Sequence, residues 1–225
     1  MSSRLGVGRS AFDTQVERYD AWYDTPGGQA LFASEVACLR PLLHTFPRPY
    51  LEVGVGTGRF AQALRVEHGL DPSRAAIRKA RGRGVQVVRA LGERLPFRDG
   101  SFGGVLVAFT LCFVEDPARA LREVRRVLAS GGGLVLGVML KGTPWAEFYA
   151  QKGRDGHPLY SSAHFYDSSD VEVMLLASNL RPVACSSTLL QPPGLPTYRL
   201  ERPVSGCAPE TGFVGIAAVA QPIGS

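Results

Sequence analysis

The sequence predicts a doubly wound α/β fold, in which helices cover both faces of one mostly parallel sheet. Short apolar segments alternate with helical patterns from residue 50 onward, which is typical of βαβ units. The segment 104–109 is apolar throughout, as strands buried on both faces tend to be. The strand predicted at 50–54 leads into glycines and a helix, so backbone N–H groups lie where a ligand can bind. We expect one domain over 12–225.

The segment 12–46 is expected to form two helices that make a lid before the sheet. Apolar and aromatic side chains recur at helical spacing in the first of them: Phe12, Val16, Tyr19 and Tyr23. Asp13 is placed to cap the N-terminus of this helix, and the Thr-Pro-Gly-Gly run at 25–28 ends it. A second helical pattern covers 29–44. We expect 1–11 to form a disordered leader.

The segment 50–140 is expected to form the core of the sheet. Strands are predicted at 50–54, 66–70, 85–90, 104–109 and 134–140, with helices at 59–65, 72–81 and 117–129. Glycines 131–133 are expected to stop the last of these helices.

The C-terminal part follows a different pattern. A helix is predicted at 168–177, and the strands predicted at 181–190 and 212–220 are separated only by a loop rich in Pro and Gly. Because no helix lies between these two strands, we expect 181–220 to pair antiparallel at one edge of the sheet.

Composition and charge argue against several classes of protein. The chain has 225 residues, 45% of them hydrophobic, and a net charge of +5. No apolar stretch reaches the ~18 residues of a membrane helix, and the first residues lack the apolar core of a signal peptide. A cytoplasmic protein without a membrane partner is therefore expected. The basic run at 74–89 is interpreted as an exposed helix and its loop, so no nucleic-acid partner is expected.

The cysteines carry no recognisable pattern. None of Cys38, Cys112, Cys185 and Cys207 belongs to a Cys-x-x-Cys pair, so neither a zinc site nor a disulfide framework is expected. No acidic or histidine ligand set appears at a defined spacing, and no metal is predicted. Cys112 could be a nucleophile, but a small buried apolar residue is the better interpretation.

The glycine loop has the spacing Gly54-x-Gly56-x-Gly58. The dinucleotide fingerprint Gly-x-Gly-x-x-Gly, started at Gly54, requires glycine where this chain has Arg59. Started at Gly56, the fingerprint ends at Ala61, where alanine is permitted, but the loop would then lie two residues deeper in the helix. The spacing therefore disfavours a nicotinamide-dependent oxidoreductase.

With this loop the chain resembles the class I S-adenosylmethionine-dependent methyltransferases, whose first motif is similar to 52–60 (Glu-Val-Gly-Val-Gly-Thr-Gly-Arg-Phe). Further segments resemble the later motifs of the family in order: 69–73, 92–97, 101–107, 116–128 and 131–134. The similarity is closest to the type 11 branch, which methylates small molecules in ubiquinone and menaquinone biosynthesis. It implies a Rossmann-like, seven-stranded sheet with an antiparallel C-terminal strand, and S-adenosylmethionine as the cofactor.

The resemblance also implies which residues bind the cofactor. They are Glu52, Gly54, Gly56, Gly58, Asp71, Pro72, Gly92, Glu93, Thr110, Leu111 and Tyr19. Glu52 faces the methionine amino group and Asp71 accepts hydrogen bonds from the ribose hydroxyls. Alternatives stay open for three acids: Glu52 as a solvated residue at a strand end, and Asp71 and Glu93 as helix caps. Leu91 stands where many relatives place an adenine-binding Asp, and its side chain cannot hydrogen-bond.

The acceptor is expected beyond the carboxyl ends of the fourth and fifth strands, under the lid and beside the insertion and helix at 141–180. His157 and His164 in that insertion suit proton abstraction near neutral pH. Together with Tyr23 they are the candidate catalytic residues, although loop histidines are more often surface or structural residues. The aromatic faces of Tyr19 and Tyr23 either hold the cationic sulfonium or form only the apolar face of a helix.

The predicted function is in-line transfer of a methyl group from S-adenosylmethionine to a small-molecule acceptor, by a monomer or homodimer. A methyltransferase acting on RNA or protein is the first alternative. Nucleic-acid enzymes often carry an N/D-P-P-Y/F motif after strand four, where this chain has Thr-Leu-Cys-Phe at 110–113. A non-catalytic S-adenosylmethionine-binding protein is the second alternative, because it would share the first motif.

Overall fold

The structure, a computed structural model, describes residues 11–208 and 210–221. Its helices are α1 (Ala11–Trp22), α2 (Pro26–Leu43), α3 (Arg59–Leu64), α4 (Arg74–Gly82), α5 (Pro117–Val127), α6 (Pro144–Arg154) and α7 (Ser168–Ala177). Its strands are β1 (Tyr50–Val53), β2 (His68–Leu70), β3 (Gln86–Val88), β4 (Phe102–Ala108), β5 (Leu128–Val138), β6 (Leu180–Thr188), β7 (Val204–Ser205) and β8 (Phe213–Ala220). The predicted leader at 1–11 lies outside the described residues except for Ala11, which belongs to α1.

The strands form one sheet in the order β3-β2-β1-β4-β5-β8-β6-β7. Pairing is parallel from β3 through β5, and β8 pairs antiparallel with both β5 and β6. The doubly wound, mostly parallel sheet with an antiparallel C-terminal strand is therefore confirmed. The strand number is corrected, because the described residues form eight strands rather than seven. The extra strand is the two-residue β7, which pairs with Ser186 and Ser187 inside a segment that composition alone marked as a loop.

Helices cover both faces of this sheet. The first face carries α2 and α3, whose side chains Leu39, Leu43 and Leu64 are fully buried with Val135 of β5. The second face carries α5 and α7, with Leu121 and Leu175 buried among the opposite side chains of the strands. In the part of the chain that the structure describes, no helix is long and apolar enough to cross a bilayer.

The boundary between α5 and β5 differs from the prediction. The helix ends at Val127, and the strand begins at Leu128 and continues through glycines 131–133, which were expected to stop the helix. Gly133 instead serves close packing in the sheet, since a Cβ on it would lie 2.2 Å from Cε1 of Phe46. Because glycine has no side chain, the ring of Phe46 packs directly on the backbone of the strand.

Asp13 lies in the first turn of α1 and not at the N-cap position that the sequence suggested. Its Oδ1 accepts hydrogen bonds from Oγ of Ser73 at 2.5 Å and from the N–H of Ala75 at 3.3 Å. These donors stand at the N-terminus of α4, where unpaired N–H groups attract a carboxylate. Asp13 therefore ties the first helix to α4.

The expectation of no disulfide is wrong for one pair. Cys185 on β6 is bonded to Cys207, with their Cα atoms 5.4 Å apart. The chain turns back after β7, and the N–H of Gly206 donates to the carbonyl of Cys185, which brings the two cysteines together across 22 positions. Cys38 and Cys112 are free. The described residues contain no group of His, Cys, Asp and Glu side chains arranged to hold a metal ion.

Candidate functional site

A cavity of about 490 Å³ lies at the carboxyl ends of β1, β2, β4 and β5, beneath α1. Its wall contains most of the residues that the sequence singled out: Gly54, Gly56, Asp71, Pro72, Gly92, Glu93, Thr110, Leu111, Tyr19, Tyr23, His157 and His164. Glu52 and Gly58 do not line it. Elements that are distant in sequence thus meet at the sheet edge where ligands bind in doubly wound folds.

The glycine loop opens toward this cavity at one position in particular. All three glycines have positive φ, which favours glycine. A Cβ on Gly56 would meet no atom of the described chain within 4 Å, so open space lies beside its backbone. A Cβ on Gly58 would instead lie 2.8 Å from Cα of Ala80. Gly58 therefore allows the loop to pack on α4, whereas its contact with the cofactor stays a prediction.

Asp71 follows β2 and lies at the cavity wall. Its Oδ2 accepts from the N–H of Gly56 at 3.0 Å, and its Oδ1 accepts from the N–H of Ser73 at 2.8 Å. Burial raises the pKa of Asp71, although these N–H donors oppose the rise. Ser73, and not Asp71, caps α4 by accepting from the N–H of Ala76, so the cap interpretation of Asp71 is wrong and the helix begins at Arg74 rather than at 72.

Glu52 is buried, with 2% of its surface exposed, and the interpretation as a solvated acid is wrong. The N–H of Ala61 on α3 lies near enough to lower the pKa of its carboxyl group, while Oε2 finds no donor among the described residues. Burial raises its pKa well above the ordinary value, and the negative charge of Asp71 adds to that effect. The side chain therefore lies behind the glycine loop.

Glu93 lies between the cavity and the start of α5, whose N-cap residue is Asp116. It lines the cavity, and its Oε1 accepts from the N–H groups of Glu115 at 3.1 Å and Asp116 at 3.4 Å. These groups come just before α5, so Glu93 fixes the 91–93 segment to the start of that helix. Leu91 adds apolar surface to the same wall.

The helix α1 covers the cavity and is held by a buried acid that the sequence analysis did not find. Asp20 accepts hydrogen bonds from Oγ1 of Thr57 at 2.7 Å, from Nε of Arg59 at 2.7 Å and from the guanidinium of Arg83 at 2.9 Å. Burial alone would raise the pKa of Asp20, but these donors outweigh it and hold the pKa well below its usual range. Its partners lie 37 to 63 positions away, so no local pattern could reveal it.

The far side of the cavity is aromatic. The hydroxyls of Tyr19 and Tyr23 on α1 are 2.9 Å apart, and the ring of Tyr149 on α6 lies 4.5 Å from that of Tyr160. His157 stands beside Tyr160 with ring centroids 4.8 Å apart. Burial and the positive charges of Lys152 and Arg18 lower the pKa of His157.

His164 is held at the cavity by its backbone. Its N–H donates to the carbonyl of Cys112 at 2.8 Å, and its ring lies 4.6 Å from that of Tyr166. Burial raises the pKa of the Cys112 thiol to about 12. A thiol with that pKa stays protonated near neutral pH, which favours the apolar interpretation of Cys112 over a nucleophile.

Comparison with known proteins agrees with this geometry. The family described as "Methyltransferase domain" matches residues 51–136. A solved structure from Thermotoga maritima, described as a SAM-dependent methyltransferase and possible histamine N-methyltransferase, superposes with a TM-score of 0.85 at 30% identity and covers 94% of this chain and 98% of its own. The chain belongs to the S-adenosylmethionine-dependent methyltransferases.

Two related protein sequences show which other proteins this methyltransferase resembles. It is 52% identical over 212 residues to an uncharacterised protein of Mycobacterium tuberculosis, covering 94% of this chain and 74% of that protein. It is 38% identical over 106 residues to the demethylmenaquinone methyltransferase of Thermus thermophilus, covering 42% of this chain and 48% of that enzyme. The second similarity supports the type 11 branch that the motifs indicated.

One further residue at the cavity, Glu35, was not predicted from the sequence. Glu35 on α2 lines the cavity, yet only 4% of its surface is exposed. It stands midway between Leu31 and Leu39, which are buried at four-residue spacing on the same helix face. An acid inside an apolar stripe is a signal that the sequence does carry.

Proposed function

We propose that this chain transfers a methyl group from S-adenosylmethionine to a small-molecule acceptor bound under α1. The single observation that carries the proposal is the cavity itself, whose wall extends from Gly56 and Asp71 to the aromatic side chains of Tyr19 and Tyr149. Methyl transfer needs donor and acceptor in line and shielded from water. A chamber enclosed by α1 and α6 suits a small acceptor better than a polymer.

The residues at the Gly56 and Asp71 end of the cavity suit S-adenosylmethionine. The open space beside Gly56 accommodates a ligand close to the backbone, and the Asp71 carboxylate is placed to accept hydrogen bonds from a ribose. Pro72, Gly92 and Glu93 would border the adenine. When bound, S-adenosylmethionine supplies an electrophilic methyl group on a positively charged sulfur.

The remaining wall would border the reacting atoms. Thr110 packs over Gly54, because a Cβ on that glycine would meet the Thr110 side chain at 2.2 Å, and Leu111 follows it. The rings of Tyr19 and Tyr23 offer electron-rich faces to a sulfonium. These contacts orient the methyl group and exclude water, which is the main contribution that the protein makes to a displacement of this kind.

His157 and His164 are proposed as alternative proton acceptors for an acceptor group that must lose a proton. The lowered pKa of His157 keeps its ring neutral near pH 7, and only a neutral ring can accept a proton. Burial raises the pKa of Tyr23 well above the ordinary value, so its hydroxyl stays protonated. Tyr23 would therefore orient the acceptor as a hydrogen-bond donor.

The experiment that tests the function has two measurements on the purified chain. Calorimetric titration with S-adenosylhomocysteine should show binding at one site. Incubation with tritium-labelled methyl donor and cell extract, followed by separation by size, should place the label in the small-molecule fraction. Label in the RNA or protein fraction would contradict the small acceptor, and binding without any transfer would identify a non-catalytic binding protein.

Location and assembly are also proposed. We place the reaction in the cytoplasm, and we propose a monomer or homodimer, which light scattering of the purified protein would test. The Cys185–Cys207 bond is unusual for that compartment. Counting free thiols by mass spectrometry on protein taken directly from cells would show whether this pair is oxidised there.

A further inference from the structure

The carboxyl group of Glu35 is buried at the cavity wall, and one of its oxygens has no hydrogen-bond partner among the described residues. Its Oε2 is inaccessible to solvent, and no donor among the described residues reaches it. Burial raises the pKa of Glu35 well above the ordinary value, and no neighbouring group counteracts this effect. Leaving a polar group unpaired in the interior costs a protein about 1–3 kcal/mol, so a ligand that supplies a donor here would relieve that cost.

Two of the hydroxyl groups near Glu35 are paired with each other. Tyr19 and Tyr23 share a hydrogen bond on α1, and the ring centroids of Tyr149 and Tyr160 lie 4.5 Å apart beside α6. The negative charge of Glu35 adds to the effect of burial on the pKa of Tyr19, Tyr23 and Tyr149, which shows that all three phenols lie within its electrostatic reach. The carboxyl group thus lies among phenol side chains, and its Oε2 lacks a donor among the described residues.

We infer that Glu35 binds the amino group of the methyl acceptor, so that the acceptors of this enzyme are primary or secondary amines on a small apolar or aromatic scaffold. An ammonium group supplies both the N–H donors and the positive charge that a buried carboxylate requires. Tyrosine faces attract the same cation. A carboxylic acid would be repelled, and an alcohol offers one donor without charge. The inference rests on the proposed function, because it names the acceptor class for that reaction.

The protons and electrons of the step balance with Glu35 alone. A free ammonium that meets protonated Glu35 loses one proton to solvent, which leaves one proton shared between the carboxyl group and the nitrogen. With that proton on Glu35, the nitrogen lone pair forms the N–C bond while the C–S bond breaks. The bonding electrons leave with the sulfur of S-adenosylhomocysteine. The product is a methylated ammonium beside protonated Glu35.

Two basic side chains also border the aromatic part of the cavity. Arg18 on α1 and Lys152 on α6 are close enough to His157 to lower its pKa. The ammonium of Lys152 lies 4.2 Å from the ring centroid of Phe148 and 5.4 Å from that of Tyr149. Glu35 on α2 lies within electrostatic reach of Tyr19, Tyr23, Tyr149 and the Cys38 thiol. Burial raises the pKa of each of these four groups, so all four stay neutral near pH 7, and Glu35 is the acid among them.

The test uses the full chain saturated with S-adenosylhomocysteine and titrated calorimetrically at pH 7. The probes are benzylamine, phenethylamine and N-methylphenethylamine, compared with benzyl alcohol and 2-phenylethanol. We expect amines to bind at least about tenfold tighter than the alcohols. Titrations in two buffers of different ionisation enthalpy should show release of about one proton per amine bound.

Two variants of Glu35 separate recognition from folding. Glu35→Gln and Glu35→Met should both lose about tenfold or more in amine affinity, and both should lose the proton release. Their Tm and their affinity for S-adenosylhomocysteine should not fall. Glu172→Gln, on the exposed face of α7, is the matched control and should behave as the unaltered chain. Requiring two variants guards against a single substitution that fails to fold.

Three results would overturn the inference: alcohols that bind as tightly as amines, failure of every amine to bind, or proton release that persists in both Glu35 variants. Failure of the proposed function would give a different set of binding results. In that case S-adenosylhomocysteine would not bind the unaltered chain, whereas titration of the amines into the free chain would still report on Glu35.

Discussion

Nε of Arg59 donates a hydrogen bond of 2.7 Å to Oδ1 of Asp20, across 39 positions of sequence. Arg59 is the first residue of α3 and directly follows the glycine loop, whereas Asp20 is on the helix that covers the cavity. The same carboxylate accepts from Thr57 inside the loop. The lid helix α1 and the glycine loop that borders the cavity are therefore one hydrogen-bonded unit. A substitution in α1 should change the position of the loop, and a substitution in the loop should change the position of α1.

Asp20→Asn is expected to weaken this unit. An amide keeps one acceptor oxygen but loses the charge that Arg59 and Arg83 need, so the free energy of unfolding should fall by about 2–3 kcal/mol, as expected for hydrogen bonds to charged groups. Affinity for S-adenosylhomocysteine should fall as well. Urea unfolding and calorimetry measure the two effects. Asp24→Asn removes an exposed contact to the same arginine and should change neither by more than about 0.5 kcal/mol; equal effects of both variants would contradict the role of Asp20.

Acid should weaken the unaltered chain through the same group. Because the folded pKa of Asp20 lies below its unfolded value of about 3.8, its contribution to stability is present above that pH and is lost as the pH falls toward the folded pKa. The difference in unfolding free energy between the unaltered chain and Asp20→Asn should therefore shrink between pH 5 and pH 2. Urea titrations across that range provide the measurement, and a constant difference would show that Asp20 does not act through its charge.

Local patterns predicted the sheet and much of the site for physical reasons. Parallel strands buried on both faces must be apolar, and the glycine loop must follow such a strand, so segments such as 104–109 and Gly54 to Gly58 are visible in one dimension. Asp71 follows the second strand at the same sheet edge, and the resemblance to the methyltransferase family, not a local pattern, is what singled it out. The strands and the glycine loop depend on neighbours close in sequence.

The rest depends on contacts between distant segments. Asp13 suits an N-cap by type, yet it lies inside α1 and also accepts from donors at the start of α4, some 60 positions later. Cys185 and Cys207 meet only because a two-residue strand folds back along β6. Gly58 and Gly133 are required by Ala80 and Phe46, which press against them from other elements. A periodic sequence pattern does not reveal such pairs, because the two residues meet only when distant segments pack together.

Asp71→Ala should weaken binding of S-adenosylhomocysteine by about 1–3 kcal/mol, the typical cost of losing hydrogen bonds to a charged partner. Calorimetry gives the affinity and circular dichroism checks the fold. Ser73 retains its own cap on α4, so the helix should persist. Glu172→Ala on the exposed face of α7 is the control. Unchanged affinity in a folded Asp71→Ala protein would refute the proposed ribose contact.

Gly56→Val should abolish cofactor binding, because the new side chain would project into the open space beside the loop. The backbone strain of a branched residue at positive φ has to be separated from this effect. Gly142 provides the control, since it also has positive φ and open surroundings but does not line the cavity. We expect similar losses of Tm for both variants and loss of S-adenosylhomocysteine binding for Gly56→Val alone. Binding that survives Gly56→Val would place the ligand elsewhere.

Cys207→Ser should lower the free energy of unfolding under oxidising conditions by about 3 kcal/mol, as expected for a disulfide that closes a loop of roughly this length. The bond spans 22 positions and encloses the segment that ends at β7. The Oγ of Ser187 still binds the carbonyl of Gly206 in the variant, so the pairing should loosen rather than vanish. Dithiothreitol should lower the Tm of the unaltered chain to that of the variant and leave the variant unchanged. A variant that responds to reductant as strongly as the unaltered chain would show that another contact, and not this bond, carries the difference.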